Sequence, residues 1–367
     1  MIKLADPEIG QEELEEIKAV LASKWLAHGE WVEAFESLIS KYLEVSHVIA
    51  LSSGTAALHL ALHALDIGPK DEVIVPDFTF PASANVVELV GAKTVLCDIC
   101  EDTFCIDTSK IEKLITGKTR AIMPVHEFGH VADMDQIIEL SKKYHLSIIE
   151  DAACALGAEY KGVKAGTLGD VGCFSFHPRK VITTGEGGVV VTNNTKLAIK
   201  LRLLRDHGML NTEAGKVLVM PGYNYRMTNI QGAIGKAQIP KLQNIISKRR
   251  LLAEKYFQML SDLEEVKIPI CKEYCKHVYQ TYHILLSNGI NRDKVMKALK
   301  MKGIETNIGA YAVHLQQYYL EKYSYNYSAF GNSINAYKQG LALPMHTYLS
   351  VEDIEYVVSN LIEVMRE

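Results

Sequence analysis

The chain lacks any apolar run near the roughly 20 residues that a bilayer-crossing helix needs, so membrane insertion is not expected. It has no block of like charge: 39 Lys and Arg stand against 44 Asp and Glu, a formal net charge of −5 spread along the sequence. A nucleic-acid-binding face is therefore not expected. The glycine-rich patterns G-x-x-x-x-G-K-[ST] and G-x-G-x-x-G are absent, so neither a nucleoside triphosphate nor a dinucleotide is indicated. Internal repeats and low-complexity segments are also missing. The seven cysteines are odd in number, and Cys97, Cys154 and Cys173 sit inside apolar runs, which reads as free thiols rather than a disulfide framework. Cys97, Cys100 and Cys105 lie close together, but no second C-x-x-C pair or paired histidine completes a zinc set, and no metal is expected. The opening Met-Ile-Lys-Leu-Ala-Asp-Pro has no basic region followed by an apolar one, so a cytoplasmic protein is expected.

What is present is an ordinary globular composition, 48% hydrophobic and 23% charged, over 367 residues. That length suits about two domains. Helical periodicity covers residues 10–23, breaks at residues 25–30 and resumes in a second amphipathic helix through Tyr42. Short β-branched runs then alternate with helical patterns. Strand-like runs at 47–51, 72–76, 92–97, 120–125 and 146–150 are separated by helical stretches at 55–62, 81–90, 111–115 and 134–145. Such alternation predicts a mainly parallel sheet covered by helices on both faces, with ligands at the carboxyl ends of its strands. Ser52-Ser53-Gly54-Thr55, Asp77-Phe78-Thr79-Phe80, His126 and Asp151 all fall just past predicted strand ends. The Ser-Ser-Gly-Thr junction runs from a strand directly into a helix, which offers unpaired amides and a positive dipole end to a phosphate. Beyond Pro240 the rhythm changes to a long helix at 241–260, β-like runs at 266–269 and 281–286, and helices at 291–301 and 351–365. Residues 1–240 are read as a large α/β domain and 241–367 as a smaller α+β domain.

His126-Glu127-Phe128-Gly129-His130 fits the H-E-x-x-H zinc-protease pattern. That chemistry needs both histidines on one face of a helix. Here Pro124 precedes the motif and Gly129 interrupts it, so it is read as a loop at the rim of an active site.

The richest stretch runs from Ile149 to Thr192. One apolar run delivers Asp151, a second delivers Ser175 and Lys180, and Ile-Thr-Thr-Gly-Glu-Gly-Gly follows. A lysine that forms a Schiff base with pyridoxal phosphate requires a carboxylate partner that keeps the pyridine nitrogen protonated, so that the ring acts as an electron sink. Asp151 and Lys180 are the pair placed to do so.

These segments resemble the DegT/DnrJ/EryC1/StrS family of pyridoxal-phosphate-dependent sugar aminotransferases. The likeness is carried by Ser-Ser-Gly-Thr-Ala-Ala-Leu, Glu-Asp-Ala-Ala, Phe-Ser-Phe-His-Pro-x-Lys-x-Ile-Thr-Thr-Gly-Glu-Gly-Gly and Gly-Tyr-Asn-Tyr-Arg-Met, in that order along nearly the whole chain. It implies an α/β fold of fold-type I, with a mixed, mainly parallel sheet and a smaller C-terminal α+β domain. It implies Lys180 as the Schiff-base lysine and Asp151 at the pyridinium nitrogen. Thr55, Ala56 and Ser175 would lie at the phosphate, Phe80 against the ring, and Cys154 beside the cofactor where many relatives carry His or Gln. Asn224 would reach the phosphate of a neighbouring subunit, which implies a homodimer with shared active sites. His28, His314 and Arg226 are candidate substrate contacts. Lysine at 180 sets the chain apart from the family's dehydratases, which have histidine there. The implied reaction moves an amino group from glutamate to a nucleotide-linked keto-sugar, and the glycine turn resembles members acting at C4 of 4-keto-6-deoxyhexoses. A C3 keto-sugar or a cyclitol is the alternative acceptor, and a pyridoxal-phosphate-binding regulator is the alternative outside enzymes.

Overall fold

A computed structural model describes residues 1–213 and 215–366. Seven strands form its main sheet: β1 (His47–Leu51), β2 (Glu72–Pro76), β3 (Lys93–Cys97), β4 (Thr119–Ile122), β5 (Ser147–Asp151), β6 (Val171–Ser175) and β7 (Gly188–Thr192). Their spatial order is β1-β7-β6-β5-β4-β2-β3. The neighbours from β6 through β3 are parallel, whereas β7 runs antiparallel to both β1 and β6. The sheet is therefore mixed and mainly parallel, as the alternation of the sequence predicts.

Side-chain alternation explains why these runs read as almost continuously apolar. Val48 and Ala50 join one apolar layer, with Ile74, Ile122 and Phe174. Ile49 and Leu51 join the other, with Val73, Ala121 and Cys173. A strand with helices on both faces has no polar side to present. Each fully buried Ile or Leu contributes about 1.5–3 kcal/mol of transfer free energy. α1 (Gln11–Ser23) lies against the helix Asn229–Gln238, and the helices that cover the sheet include α2 (Glu30–Leu43) and α3 (Gly54–Ala64). α3 is nearly all buried because alanines alternate with leucines around it, so its backbone can lie close to the sheet.

The helix Leu242–Leu260 ties this body to a second one. Its first turns (Leu242, Ile245, Ile246) pack into the first layer, and its later turns (Leu252, Tyr256, Leu260) into a separate core. That core lies against an antiparallel sheet of Val266–Lys267, Tyr282–Leu286 and Gly340–Leu343 and the helix Val351–Arg366. The beginning of the chain joins it too: Ile2 bridges to Ile304, and Leu4 O accepts from Met345 N at 3.0 Å. Tyr311–Ala312 reaches back to pair with Phe78–Thr79, immediately past the end of β2. No described helix is long and apolar enough to cross a membrane.

Two local expectations need correction. The strand expected at 266–269 stops at Lys267, where Ile268 and Pro269 follow; proline has no N–H for a ladder bond. The helix expected at 111–115 is one α-turn, Thr108–Ile111, tightening into a 3-10 turn, Glu112–Leu114. Several elements escape sequence reading altogether, among them the helices Asn229–Gln238 and Gly331–Gln339, the strand Gly340–Leu343 and a hairpin. The polar stretch after His207 folds into this hairpin, Met209–Thr212 with Gly215–Leu218, exposed along both strands. Gly208 permits it: its φ is +71°, and a Cβ there would lie 1.7 Å from Met220 O.

Candidate active site at the carboxyl edge of the sheet

β1 leads through Ser52 to Ser53, whose side chain accepts the Ala56 amide at 3.0 Å and so caps α3. The Ala56 amide, expected at the phosphate, is thereby turned to the cap. The first helical amides, of Gly54 and Thr55, have no intrahelical acceptor by construction and stand at the positive end of the helix. Thr55 is exposed and Ala56 buried. Two neighbouring strands close on this turn. A Cβ on Gly54 would meet Ser175 Cβ at 2.7 Å, and one on Gly188 would meet Ser53 O at 2.4 Å. Glycine at both positions lets β6 and β7 approach closely enough to bring the Ser175 hydroxyl beside the turn. The approach to β7 is fixed by Thr183, whose hydroxyl donates to Phe176 O at 2.8 Å and accepts the Gly185 amide at 2.9 Å. Gly185 has φ +82°. The Thr-Thr-Gly-Glu-Gly-Gly sequence is thus a turn that returns the chain antiparallel beside the helix cap.

Asp151 closes β5 and is 4% exposed. Its backbone is held on both sides, its N–H donating to Pro124 O at 2.9 Å and its carbonyl accepting from His126 N at 3.0 Å. Its carboxylate accepts from Ser83 Oγ at 2.7 Å and from Ala153 N at 3.1 Å. Lys180 lies on the loop after β6, where its amide donates to His177 O at 2.8 Å. Its Nζ lies 3.1 Å from Cys154 Sγ. Burial disfavours the Lys180 ammonium, but Cys154, Asp151 and Glu127 together outweigh burial and hold it above the ordinary lysine range. Burial raises the Cys154 thiol, which therefore meets Lys180 as a neutral group. Phe80 stands at the same edge, 64% exposed, touching Tyr311 edge-on at a ring separation of 6.5 Å. An exposed apolar ring at an otherwise closed edge is free to cover a flat ligand.

The tertiary structure adds Glu127 to this group. Its Oε2 is buried with no hydrogen-bond partner. Burial first, then the Asp151 carboxylate, pushes the Glu127 carboxyl up to about 8, with Lys180 pulling the other way. The histidines of the same motif are fully engaged elsewhere. His126 accepts the Ala132 amide at Nδ1, so its Nε2–H donates to Glu150 at 2.8 Å. His130 accepts the Lys272 amide at Nε2, so its Nδ1–H donates to Val131 O at 2.8 Å. Glu150 in turn accepts the amides of Gly166, Leu168 and Gly169. The motif forms a 3-10 turn, Glu127–Gly129, and its histidines brace the loop. Among the described residues no group of three or more His, Cys, Asp or Glu is arranged to hold a metal ion.

Residues 224–226 run beside the base of the Ser53-Gly54-Thr55 turn: Leu51 bridges to Arg226, and Ser52 N donates to Tyr225 O at 2.9 Å. Arg226 pairs with Asp206, and Asn224 is exposed. Arg226 and His28 line a cavity of about 430 Å³ with Trp25, Arg205, Asp206 and Lys216. Burial, reinforced by Arg205, lowers His28 to about 4, so it is neutral at pH 7, and its Nε2 is buried without a partner. Among the described residues no hydrogen bond or ion pair links this cavity to Lys180 or Asp151. His314 lies elsewhere, fully buried. Its Nδ1 is 2.6 Å from Asp77 Oδ2, its amide donates to Asp77 Oδ1 at 2.8 Å, and its ring stacks on Phe330. This pair fastens the second body to the end of β2, and Nε2 of His314 has no partner.

The carboxyl edge therefore offers a helix-terminal amide pair, a hydroxyl, a buried carboxylate, a lysine side chain and an exposed aromatic. These fit a flat, phosphorylated, aldehyde-bearing ring. A family model described as the DegT/DnrJ/EryC1/StrS aminotransferase family matches residues 7–362. The chain is 40% identical over 369 residues to GDP-perosamine synthase of Caulobacter vibrioides, spanning 99% of this chain and 98% of that one. It is 34% identical to the spore coat polysaccharide biosynthesis protein SpsC of Bacillus subtilis, over 98% and 96% of the two chains. Among solved structures, Helicobacter pylori PseC, an aminotransferase involved in the biosynthesis of pseudoaminic acid, superposes with a TM-score of 0.93 at 29% identity, over 100% of this chain and 99% of that one.

Proposed function

Because the chain belongs to the DegT/DnrJ/EryC1/StrS aminotransferase family, whose cofactor is pyridoxal phosphate, we propose that it moves an amino group from L-glutamate to a nucleotide-linked keto-sugar, at C4 of a 4-keto-6-deoxyhexose. The observation that carries this reading is the Lys180 amine at the sheet edge, 3.1 Å from Cys154 and within the field of the Asp151 carboxylate. Pyridoxal phosphate supplies an electron sink for the carbon that loses its proton. Asp151 would hold the pyridine nitrogen. The Gly54 and Thr55 amides and the Ser175 hydroxyl would hold the phosphate, and Phe80 would cover one face of the ring. Lys180 Nζ, as a free amine, takes the proton from the donor's Cα and later returns one to the carbon receiving nitrogen. The 40% identity to a GDP-perosamine synthase supports a nucleotide-linked acceptor and the C4 position.

In this reading the enzyme works as a homodimer. The exposed hairpin carries Met209, Leu210, Val217 and Leu218 outward, and Trp25 is 61% exposed nearby, beside the cationic cavity. A second copy seated there would cover this apolar surface and bring Asn224, Arg226 and His28 to the neighbouring site, where cationic groups suit a diphosphate.

Incubation with glutamate and a panel of nucleotide-linked 4-keto-6-deoxy, 3-keto and cyclitol ketones, followed by mass spectrometry, is expected to give an amine only from the first class. Amination of inosose alone would remove the nucleotide-sugar reading. Mixing inactive Lys180→Ala and Asn224→Ala variants is expected to restore about a quarter of wild-type activity, because half of the dimers are then mixed and each has one intact site. Absence of any recovery on mixing would exclude a shared site.

A further inference from the structure

Glu127 belongs to the Lys180 cluster, and the proposed function gives it no task. Its side chain is 5% exposed, and Oε2 has no hydrogen-bond partner. The loop that carries it is not mobile packing: Phe128, the next residue, has φ +56° and stacks on His283 at 4.5 Å, with Phe78 and Phe104 at its edges. The chain thus holds a backbone conformation unfavourable for phenylalanine in order to keep this turn in place. Around the Glu127 carboxyl stand Asp151 from β5, Lys180 and Cys154 from the following loops, the Cys105 thiol and the Thr79 hydroxyl. Thr79 Oγ1 lies 3.1 Å from Ser83 Oγ, which donates to Asp151, so Glu127 adjoins the same hydroxyl chain that holds Asp151.

The substituents of pyridoxal phosphate leave one edge of the ring for these groups. The pyridine nitrogen lies opposite the carbon that Lys180 attacks, and the phosphate arm and the ring oxygen flank that carbon on either side. With nitrogen assigned to Asp151, the attacked carbon to Lys180 and the phosphate arm to Gly54-Thr55 and Ser175, the ring oxygen falls on the side away from the phosphate turn. The side chains near both Lys180 and Asp151 but not on that turn are Cys154 and Glu127. Cys154 already contacts Lys180, whereas Glu127 has a spare oxygen. We infer that Glu127 is a positioning residue for the cofactor, its carboxyl giving a hydrogen bond to the ring oxygen beside the carbon that Lys180 reaches. The inference rests on the pyridoxal phosphate reading of the site. It assigns a purpose to the buried, unpartnered Oε2 of a carboxyl that an apolar residue of similar size could otherwise replace.

A neutral carboxyl that donates to the ring oxygen draws off its charge. It thereby eases the loss of the proton that the oxygen shares with Lys180 Nζ. The test uses the holoenzyme and two variants, Glu127→Leu and Glu127→Gln, with three readouts: the pH midpoint of the visible absorption, the equilibrium affinity for pyridoxal phosphate, and the melting temperature of the cofactor-free protein. Glu127→Leu is expected to raise the midpoint by about one pH unit and weaken cofactor binding about ten-fold, without a lower melting temperature. Glu127→Gln, whose amide still donates, is expected to stay near the wild-type midpoint. A Glu127→Leu variant with the wild-type midpoint and affinity overturns the inference, as does one that melts lower with both unchanged, which would mark a purely structural residue. A wild-type protein that takes up no pyridoxal phosphate and shows no visible band removes the cofactor reading itself.

Discussion

Lys180→Ala is expected to lower turnover by about 10⁴-fold or more, because one side chain supplies both the nucleophile and the proton carrier. General acid–base catalysis alone is worth about 10²–10⁴-fold, and loss of the covalent link to the cofactor adds to it. Folding is not expected to suffer. Lys180 makes a single contact with a neutral thiol, 3.1 Å from Cys154 Sγ, and its removal takes a part-buried charge out of the site. Glu127 responds in a defined direction: Lys180 is the neighbour that lowers it, so without Lys180 its carboxyl titrates higher still and stays protonated at pH 7. Lys180→Arg separates charge from chemistry, since it keeps a cation in the cluster but cannot act as the amine. Steady-state assays of both variants, with circular dichroism as the folding control, check the result. Borohydride reduction of the loaded wild type followed by peptide mapping should mark Lys180. Retention of more than about 1% of wild-type turnover by Lys180→Ala would be incompatible with this role.

Asp151→Asn should have the next largest effect, a fall in turnover of about 10²–10³-fold with a smaller change in cofactor affinity. The substitution is nearly isosteric: Ala153 N, at 3.1 Å, can still donate to the amide oxygen, and Ser83 Oγ, at 2.7 Å, can turn to accept from the amide nitrogen. What is lost is the charge. An amide cannot hold the pyridine nitrogen protonated, so the ring accepts electrons less well while the phosphate contacts at Gly54, Thr55 and Ser175 persist. The same change reaches Glu127, which Asp151 raises after burial: with the charge gone, the carboxyl drops below about 8, while burial still holds it up. A turnover loss with cofactor affinity largely kept is the expected pattern. Wild-type turnover in Asp151→Asn would exclude the carboxylate from the chemistry, and loss of cofactor binding equal to the loss of turnover would reduce Asp151 to an anchor.

The fold was legible in its alternating body because strands buried on both faces cannot avoid an apolar signature and because α3 starts at a serine cap. The hairpin at Met209–Thr212 and Gly215–Leu218 was not legible: its strands are short, exposed along their length and outside the hydrophobic cores, so no period marks them. Within the site, Lys180, Asp151, Ser175 and the Ser53-Gly54-Thr55 turn could be read from local motifs, since each depends on a strand end or a helix start. Ser83 and Glu127 could not. Ser83 reaches Asp151 from a different helix. Glu127 sits inside a sequence that imitates a zinc motif, and only the turn at Phe128 separates its carboxyl from the flanking histidines.

Sequence by itself determined the layered sheet, and it pointed to the lysine, the carboxylate and the capped Ser53-Gly54-Thr55 turn as candidates, because burial period, helix capping and covalent chemistry act through neighbours a few residues apart. Tertiary structure alone decided that Glu127 joins Lys180, Cys154 and Asp151, that His28 shares a cavity with Arg226, and that His314 is bound to Asp77. Those partners come from distant segments, and the unpaired charge and hydrogen-bonding capacity that define their roles exist only once the segments are packed together.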